Sequence, residues 1–165
     1  MASLPRGLEE ATSVPFERVD RREVVRWWAE RFGVPEEVFE PYEFYARGKK
    51  AIWAIRRSEH LPKLVGPLRL EALGMVIMRM GKFGWKPTTN AIQVFGRHAR
   101  KNVVDLDEGQ MRAFVAGEAI EGPFEGLEEG FVVVRYRGRP LGCGLYRRGV
   151  LHSQVPKIRR RVELI

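Results

Sequence analysis

Residues 130–161 read GFVVVRYRGRPLGCGLYRRGVLHSQVPKIRRR. An apolar, β-branched run from Phe131 to Arg137 meets Gly138, and a second apolar run follows, which predicts two strands joined by a tight turn. A third segment then ends in a basic tract. Nine of these residues are Lys or Arg and none is acidic, whereas residues 1–129 hold twenty basic and twenty acidic residues. Only Glu163 offsets the nine, so the formal charge of +8 sits entirely in the last fifth of the chain. Charge segregated in this way points to a polyanionic partner.

The side-chain order gives that charge a scaffold. In a strand, alternate residues share a face. Val132, Val134 and Tyr136 then face one way, and Arg135 and Arg137 the other. On the following strand Leu141, Cys143 and Leu145 share a face, opposite Gly142, Gly144 and Tyr146. Two adjacent positions without side chains admit the close approach of another backbone, either a ligand's or that of a neighbouring strand in a tightly curved barrel.

The 165 residues, 44% hydrophobic and 10% aromatic, suffice for one domain or two small ones with a buried core. A sequence pI near 10.1 favours nucleic acid as the partner, ahead of an anionic membrane. No apolar run approaches the roughly 18 residues of a membrane span, and the opening residues hold four acids and no apolar centre, unlike a secretory signal. No membrane association is expected, and a cytoplasmic location follows by default. Arginine outnumbers lysine 22 to 7, which suits bidentate phosphate recognition, although base composition or a hot habitat has the same effect.

Taken in order, residues 1–19 read as a loose lead-in. Asp20 is a good N-cap for a helix RREVVRWWAERF, with Val24, Val25, Trp28 and Phe32 on its apolar face and Gly33 as its stop. Trp27 and Trp28 stand on adjacent faces and are not expected to share one core, which leaves one of them for a partner. A helical turn is predicted at 34–39, and a strand pair at 44–46 and 51–55 around Arg47-Gly48-Lys49-Lys50. Two strands are predicted within 64–80, a loop at Gly84-Trp85-Lys86-Pro87, and a helix from Thr88 or Thr89 through Arg100. A strand at 102–106, a helix capped by Asp107 and stopped by Gly117, and a long acidic loop at 118–130 lead into the basic hairpin. The expected fold class is α+β: an α/β region over 1–100, then a small pseudo-barrel of mixed strands with one or two short helices over 101–165.

Chemistry-bearing patterns are mostly absent. His60, His98 and His152 are scattered, the single Cys143 excludes an internal disulfide and any multi-cysteine zinc site, and no phosphate-cradling glycine loop occurs. Cys143 lies between Leu141 and Leu145 and reads as a small buried hydrophobe, and Ser153 beside His152 is adjacency without a triad. Neither a catalytic residue nor a metal or cofactor site is expected, and the chain is read as a non-enzyme. Arg147, Arg148, Lys157, Arg159, Arg160 and Arg161 are the expected phosphate-binding face. A second basic group, Lys82, Lys86, Arg97, Arg100 and Lys101, is expected around Trp85, whose ring can either stack a base or pack on its own fold.

Residues 102–106, then Gly117-Glu118-Ala119-Ile120, then the 130–161 stretch together resemble a PUA domain, an RNA-binding module. The variant with Pro140-Leu141-Gly142-Cys143-Gly144 and 151–161 is most similar to the C-terminal region of Sun-type RNA cytosine-5 methyltransferases, and GWKPTTNAIQVFGRHARKNVV to the segment preceding it. Those enzymes use a cysteine pair and a separate domain for S-adenosylmethionine. This chain has one cysteine, in the wrong region, and no space for that domain. The resemblance implies an RNA groove formed by Gly117, Gly142, Gly144, Arg147, Arg148, Ser153 and Lys157. Lys101, Arg159 and Arg160 are counted with them, and Trp85, Lys86 and Arg97 as a secondary contact. The implied partner is structured RNA, tRNA or rRNA and not DNA, in RNA modification or ribosome biogenesis. The alternative is a protein-interaction scaffold, or an RNA-binding accessory subunit for a separate RNA methyltransferase.

Overall fold

The computed structural model describes residues 16–57 and 74–155. Strand β1 (Phe16–Arg18) leads into helix α1 (Arg21–Phe32) and a 3-10 turn at Glu36–Phe39. Strands β2 (Tyr42–Arg47), β3 (Ala51–Arg56), β4 (Met75–Gly81) and β5 (Gly84–Pro87) complete an antiparallel sheet in the order β1-β2-β3-β4-β5. Helix α2 (Thr89–Phe95) and a short 3-10 turn link this sheet to β6 (Val103–Leu106) and α3 (Glu108–Val115). Then come β7 (Ile120–Glu121), β8 (Gly130–Tyr136), β9 (Arg139–Arg147) and β10 (Val150–Ser153), which with β6 form a second sheet in the order β6-β8-β9-β10-β7. Among the described residues only the β6–β8 pair is parallel. The fold is α+β, and the curled second sheet with α3 has the build of a PUA-like pseudo-barrel.

Local chemistry sets most of the boundaries. The Asp20 side chain accepts from Arg22 N, and Gly33 ends α1 in the left-handed region at φ 64°. Thr88 Oγ1 accepts from Ala91 N and donates to Val76 O, so one hydroxyl caps α2 and ties it to β4. Asp107 and Gln110 form a reciprocal capping box on α3. Arg137-Gly138 and Arg148-Gly149 both have positive φ, the signature of two-residue hairpin turns whose twist matches the strands they join.

The structure departs from the sequence-based expectations at several places. Residues 16–18 are a strand on β2 rather than a loose lead-in, with Phe16 edge-on to Trp53 at 5.4 Å. Residues 84–87 are an edge strand and not a loop, since Pro87 can close a strand whose outer side needs no ladder donor. Helix α2 stops at Phe95, five residues short of Arg100. The acidic stretch contains β7, which pairs with β10. Trp28 is fully buried and Trp27, partly buried, packs edge-on against Trp28 and Phe32 at 5.4 and 5.5 Å, so both serve the same core. Of the two strands expected within 64–80, β4 is present; positions 64–73 lie outside the described residues, as do 1–15 of the lead-in.

Two apolar clusters meet at the second sheet. The first joins Trp28, Phe32, Phe39, Phe44, Ile77 and Phe95 to Phe131, Val133, Cys143 and Leu145. The second holds Leu106, Phe114, Ile120, Val132, Val134, Tyr146, Leu151 and Val155. Strand β8 is therefore apolar on both faces, which is why its FVVV run does not alternate with polar residues. Leu141, expected beside Cys143, packs instead against the second cluster, beyond a register shift between Val134 and Arg135.

A candidate nucleic-acid interface

The β9–β10 turn presents Arg147 and Arg148 to solvent. Arg148 N donates to Glu129 Oε1 at 3.0 Å, and Gly122 N donates to Gly149 O at 2.7 Å, so the turn is held from the 118–130 segment on its flank. The Arg147 guanidinium lies 4.6 Å from the centroid of Phe83, at the tip of the β4–β5 turn. Lys82 holds its Nζ 5.7 Å from the same ring. Lys101, also exposed, reaches Glu128 at 3.9 Å, one residue from the carboxylate that holds Arg148. Lys101 and Arg148 thus border one acidic pair, Glu128-Glu129, which tempers the positive field there.

The other end of β10 carries Ser153, roughly 10 Å along the strand from Val150. Ser153 Oγ accepts from Val155 N at 3.4 Å, and its carbonyl accepts from Gln154 Nε2 at 3.2 Å. Lys86 Nζ donates to Gln154 Oε1 at 3.0 Å across the two sheets. Lys86 and Gln154 line a cleft of about 450 Å³ with Arg79, Thr88, Thr89 and Asn90. Trp85, the neighbour of Lys86 on β5, points the opposite way and packs beside the first core. The expected basic group around Trp85 is thus split by the strand. Arg97 is exposed and donates to His98 Nε2 at 3.2 Å. Gly117, at φ 87°, turns the chain out of α3.

Two expected groove residues, Gly142 and Gly144, lie against the chain's own side chains. A Cβ on Gly144 would lie 2.6 Å from Leu151 Cδ1 and 3.0 Å from Val134 Cγ2, and one on Gly142 would lie 3.2 Å from Val155 Cγ2. On the Cβ side of both glycines the space is filled by the chain's own side chains, as in a tightly curved barrel. Lys157, Arg159, Arg160 and Arg161 lie outside the described residues. Arg135, on the basic hairpin, is engaged by Asp105 through two 3.1 Å contacts.

Burial sets the remaining chemistry. Desolvation pushes the Cys143 thiol up to about 12, against weaker opposing effects of Lys86, a Val132 backbone contact and Arg31. Such a thiol is not a nucleophile at neutral pH. Desolvation also lowers Arg31, partly countered by Glu128. Arg31 nevertheless makes a structural clamp, donating from Nε to Phe131 O at 2.7 Å and from its terminal nitrogen to Glu128 O at 3.0 Å. No group of three or more His, Cys, Asp or Glu placed to hold a metal ion occurs among the described residues, and none of their helices is long and apolar enough to cross a membrane. Sequence reading passed over Phe83 and Arg31. Lys82-Phe83 between two glycines was the available signal for an aromatic hairpin tip, whereas nothing local marks Arg31.

Residues 101–161, which hold the second sheet and α3, match the family model described as the PUA domain of the methyltransferase RsmF. Residues 2–74 match a second model, described as a family of unknown function, DUF7122. The chain is 28% identical over 92 residues to the ribosomal RNA small subunit methyltransferase F of Aeromonas salmonicida, covering 56% of this chain and 19% of that protein. It is 26% identical over 106 residues to the protein of the same name from Aeromonas hydrophila, covering 64% of this chain and 22% of the relative. The aligned part spans about a fifth of each relative's length, and no methyltransferase domain is evident in the 165 residues.

Proposed function

We propose that this chain binds structured RNA, foremost rRNA and alternatively tRNA, without catalysing a reaction itself, in RNA modification or ribosome assembly. One observation carries the reading. The segment that matches the RsmF PUA domain contains residues 130–161, where nine Lys or Arg stand together with no acidic residue. Arg147, exposed at the end of β9, and Arg148, exposed in the two-residue turn that follows, would contact phosphates, together with Lys101. Lys157, Arg159 and Arg160 would extend that face. Gly117 and Ser153 remain proposed groove positions, and Lys86 and Arg97 secondary contacts. A division near residue 100 and a cytoplasmic setting belong to the same reading.

The test is binding of fluorescently labelled small-subunit rRNA fragments and tRNA transcripts across a salt series. Neutralising four to six phosphates gives a slope of log K against log salt of about −3 to −5. Tight binding with no salt dependence would contradict the reading. Incubation with S-adenosylmethionine and transcript should give no methyl transfer by the protein alone.

A second reading is an RNA-binding accessory subunit, favoured by one fact: both named relatives are methyltransferases of which this chain aligns with only about a fifth. A methyltransferase recovered with the tagged protein after nuclease treatment would support it.

A further inference from the structure

We propose that the place where the β4–β5 turn meets the β9–β10 turn holds one unstacked base of the bound RNA, with Phe83 as its stacking ring. This inference rests on the RNA-binding reading and extends it to the first half of the chain. Phe83 is 47% exposed at the tip of a two-residue turn, where its ring takes no part in either core. It is not left to water alone, because Arg147 from the other sheet and Lys82 both lie within cation–π range of its ring. An exposed aromatic ring flanked by cations is the composition that holds an unpaired base and its phosphates, the base on the ring or on the guanidinium plane.

Space and edge chemistry agree with such an occupant. Beside Phe83 lies a cleft of about 290 Å³ bounded by Trp27, Trp85, Arg31 and residues 129–131. That is just below the roughly 300–1,000 Å³ of small-molecule sites, and so suits a single base better than a larger ligand. Its floor at Gly84 is open, with nothing within 4 Å of where a Cβ would stand. Glu129 repels phosphate, but a carboxylate accepts from the amino group of a base. One of its oxygens is taken by Arg148 N, which fixes the group in place. The geometry therefore favours a base edge that donates, with the phosphates displaced toward Lys82 and Arg147.

The full chain is titrated against two labelled RNAs, a blunt duplex and the same duplex with a single-base bulge. The wild type should prefer the bulged RNA. Phe83→Ala should weaken binding to it about tenfold, within the range for a lost base–aromatic stack, and change duplex binding less than twofold. Phe83→Trp should retain the preference, and Phe83→Leu, apolar without a π face, should lose it. Unchanged thermal melting of the variants shows that the turn is not required for folding. If the wild type binds both RNAs with the expected salt slope and Phe83→Ala affects both equally or neither, the stacking site is wrong and the RNA-binding reading stands. If the wild type binds neither RNA, the reading falls and takes this inference with it.

Discussion

Asn102 donates its side-chain amide to the backbone carbonyl of Arg31 at 2.8 Å, joining the start of the second sheet to the last turn of α1. Its Oδ1 accepts from Glu128 N at 2.8 Å and its carbonyl from Val133 N at 2.9 Å. Asn102 is buried and has φ 51°, a conformation asparagine tolerates better than most residues. Arg31 returns the connection through Phe131 O and Glu128 O. These two residues tie the last turn of α1 to the second sheet and to the segment before β8.

Removal of that amide should be costly. Asn102→Ala leaves the Arg31 carbonyl and the Glu128 amide without their partner and puts a non-glycine side chain at positive φ. A loss of about 2–4 kcal/mol is expected in urea denaturation. Asn102→Gly should be milder by up to about 1 kcal/mol, because it relieves the backbone conformation only. Equal stability of both variants and the wild type would show that the staple is dispensable.

Gly144 has ordinary backbone angles, so any cost of Gly144→Ala must come from space. The added methyl would meet Leu151, Val134 and Val132 in a closed core. Overpacking of this kind costs about 1–3 kcal/mol. Thermal unfolding of Gly144→Ala measures it, and the paired change Gly144→Ala with Leu151→Val should recover part of the loss by making room.

Phosphate contacts at the β9–β10 turn have a distinct signature. Replacing both Arg147 and Arg148 with Gln should weaken RNA binding similarly across sequences. The salt slope should become shallower by about 1.5–2, the contribution of two phosphates. A weakened affinity with an unchanged slope would mean that neither guanidinium neutralises phosphate.

The buried thiol predicts an alkaline loss of stability. The ordinary value for Cys143 is 9.0, and burial raises it to about 12 in the folded protein. Below pH 9 both states keep the proton, so the thiol gives no pH dependence there. Between about pH 9 and 12 only the unfolded chain releases it, and stability falls as pH rises, by at most about 1.4 kcal/mol per pH unit. Desolvation raises Tyr45 as well, which adds a loss of the same sign. Cys143→Ala should flatten the profile between pH 9 and 11, whatever its stability at neutral pH. A native thiol reagent assay at pH 8 should find Cys143 unreactive until the protein is unfolded.

Features set by neighbours in sequence were legible in advance. Asp20, Gly33 and Asp107 act on residues within one helical turn, and Gly138 acts within a single hairpin. The basic hairpin was found the same way. What escaped depends on residues far apart in the chain. Val133 alternates toward a core built from α1 and α2, so its burial has no local sign. The strand character of Gly84–Pro87 comes from pairing with β4, against the preferences of Gly and Pro. Phe83 and Arg147 are sixty-four positions apart, and only the docking of two sheets reveals that they touch. For Gly142 and Gly144 the sequence left open ligand or neighbour, and the structure packs Leu151 and Val155 against them.

The double burial of β8 bears on how this protein can be taken apart. Residues 101–161 end and begin cleanly as a sequence match, yet they carry Phe131, Val133, Cys143 and Leu145 into a core owned jointly with the preceding half. Cut out and expressed alone, that segment would bear an uncovered greasy side and would clump or seek a substitute lid. The seam visible by homology is thus not a line of cleavage for the folded molecule. Anyone swapping this end onto another scaffold must carry its cover along.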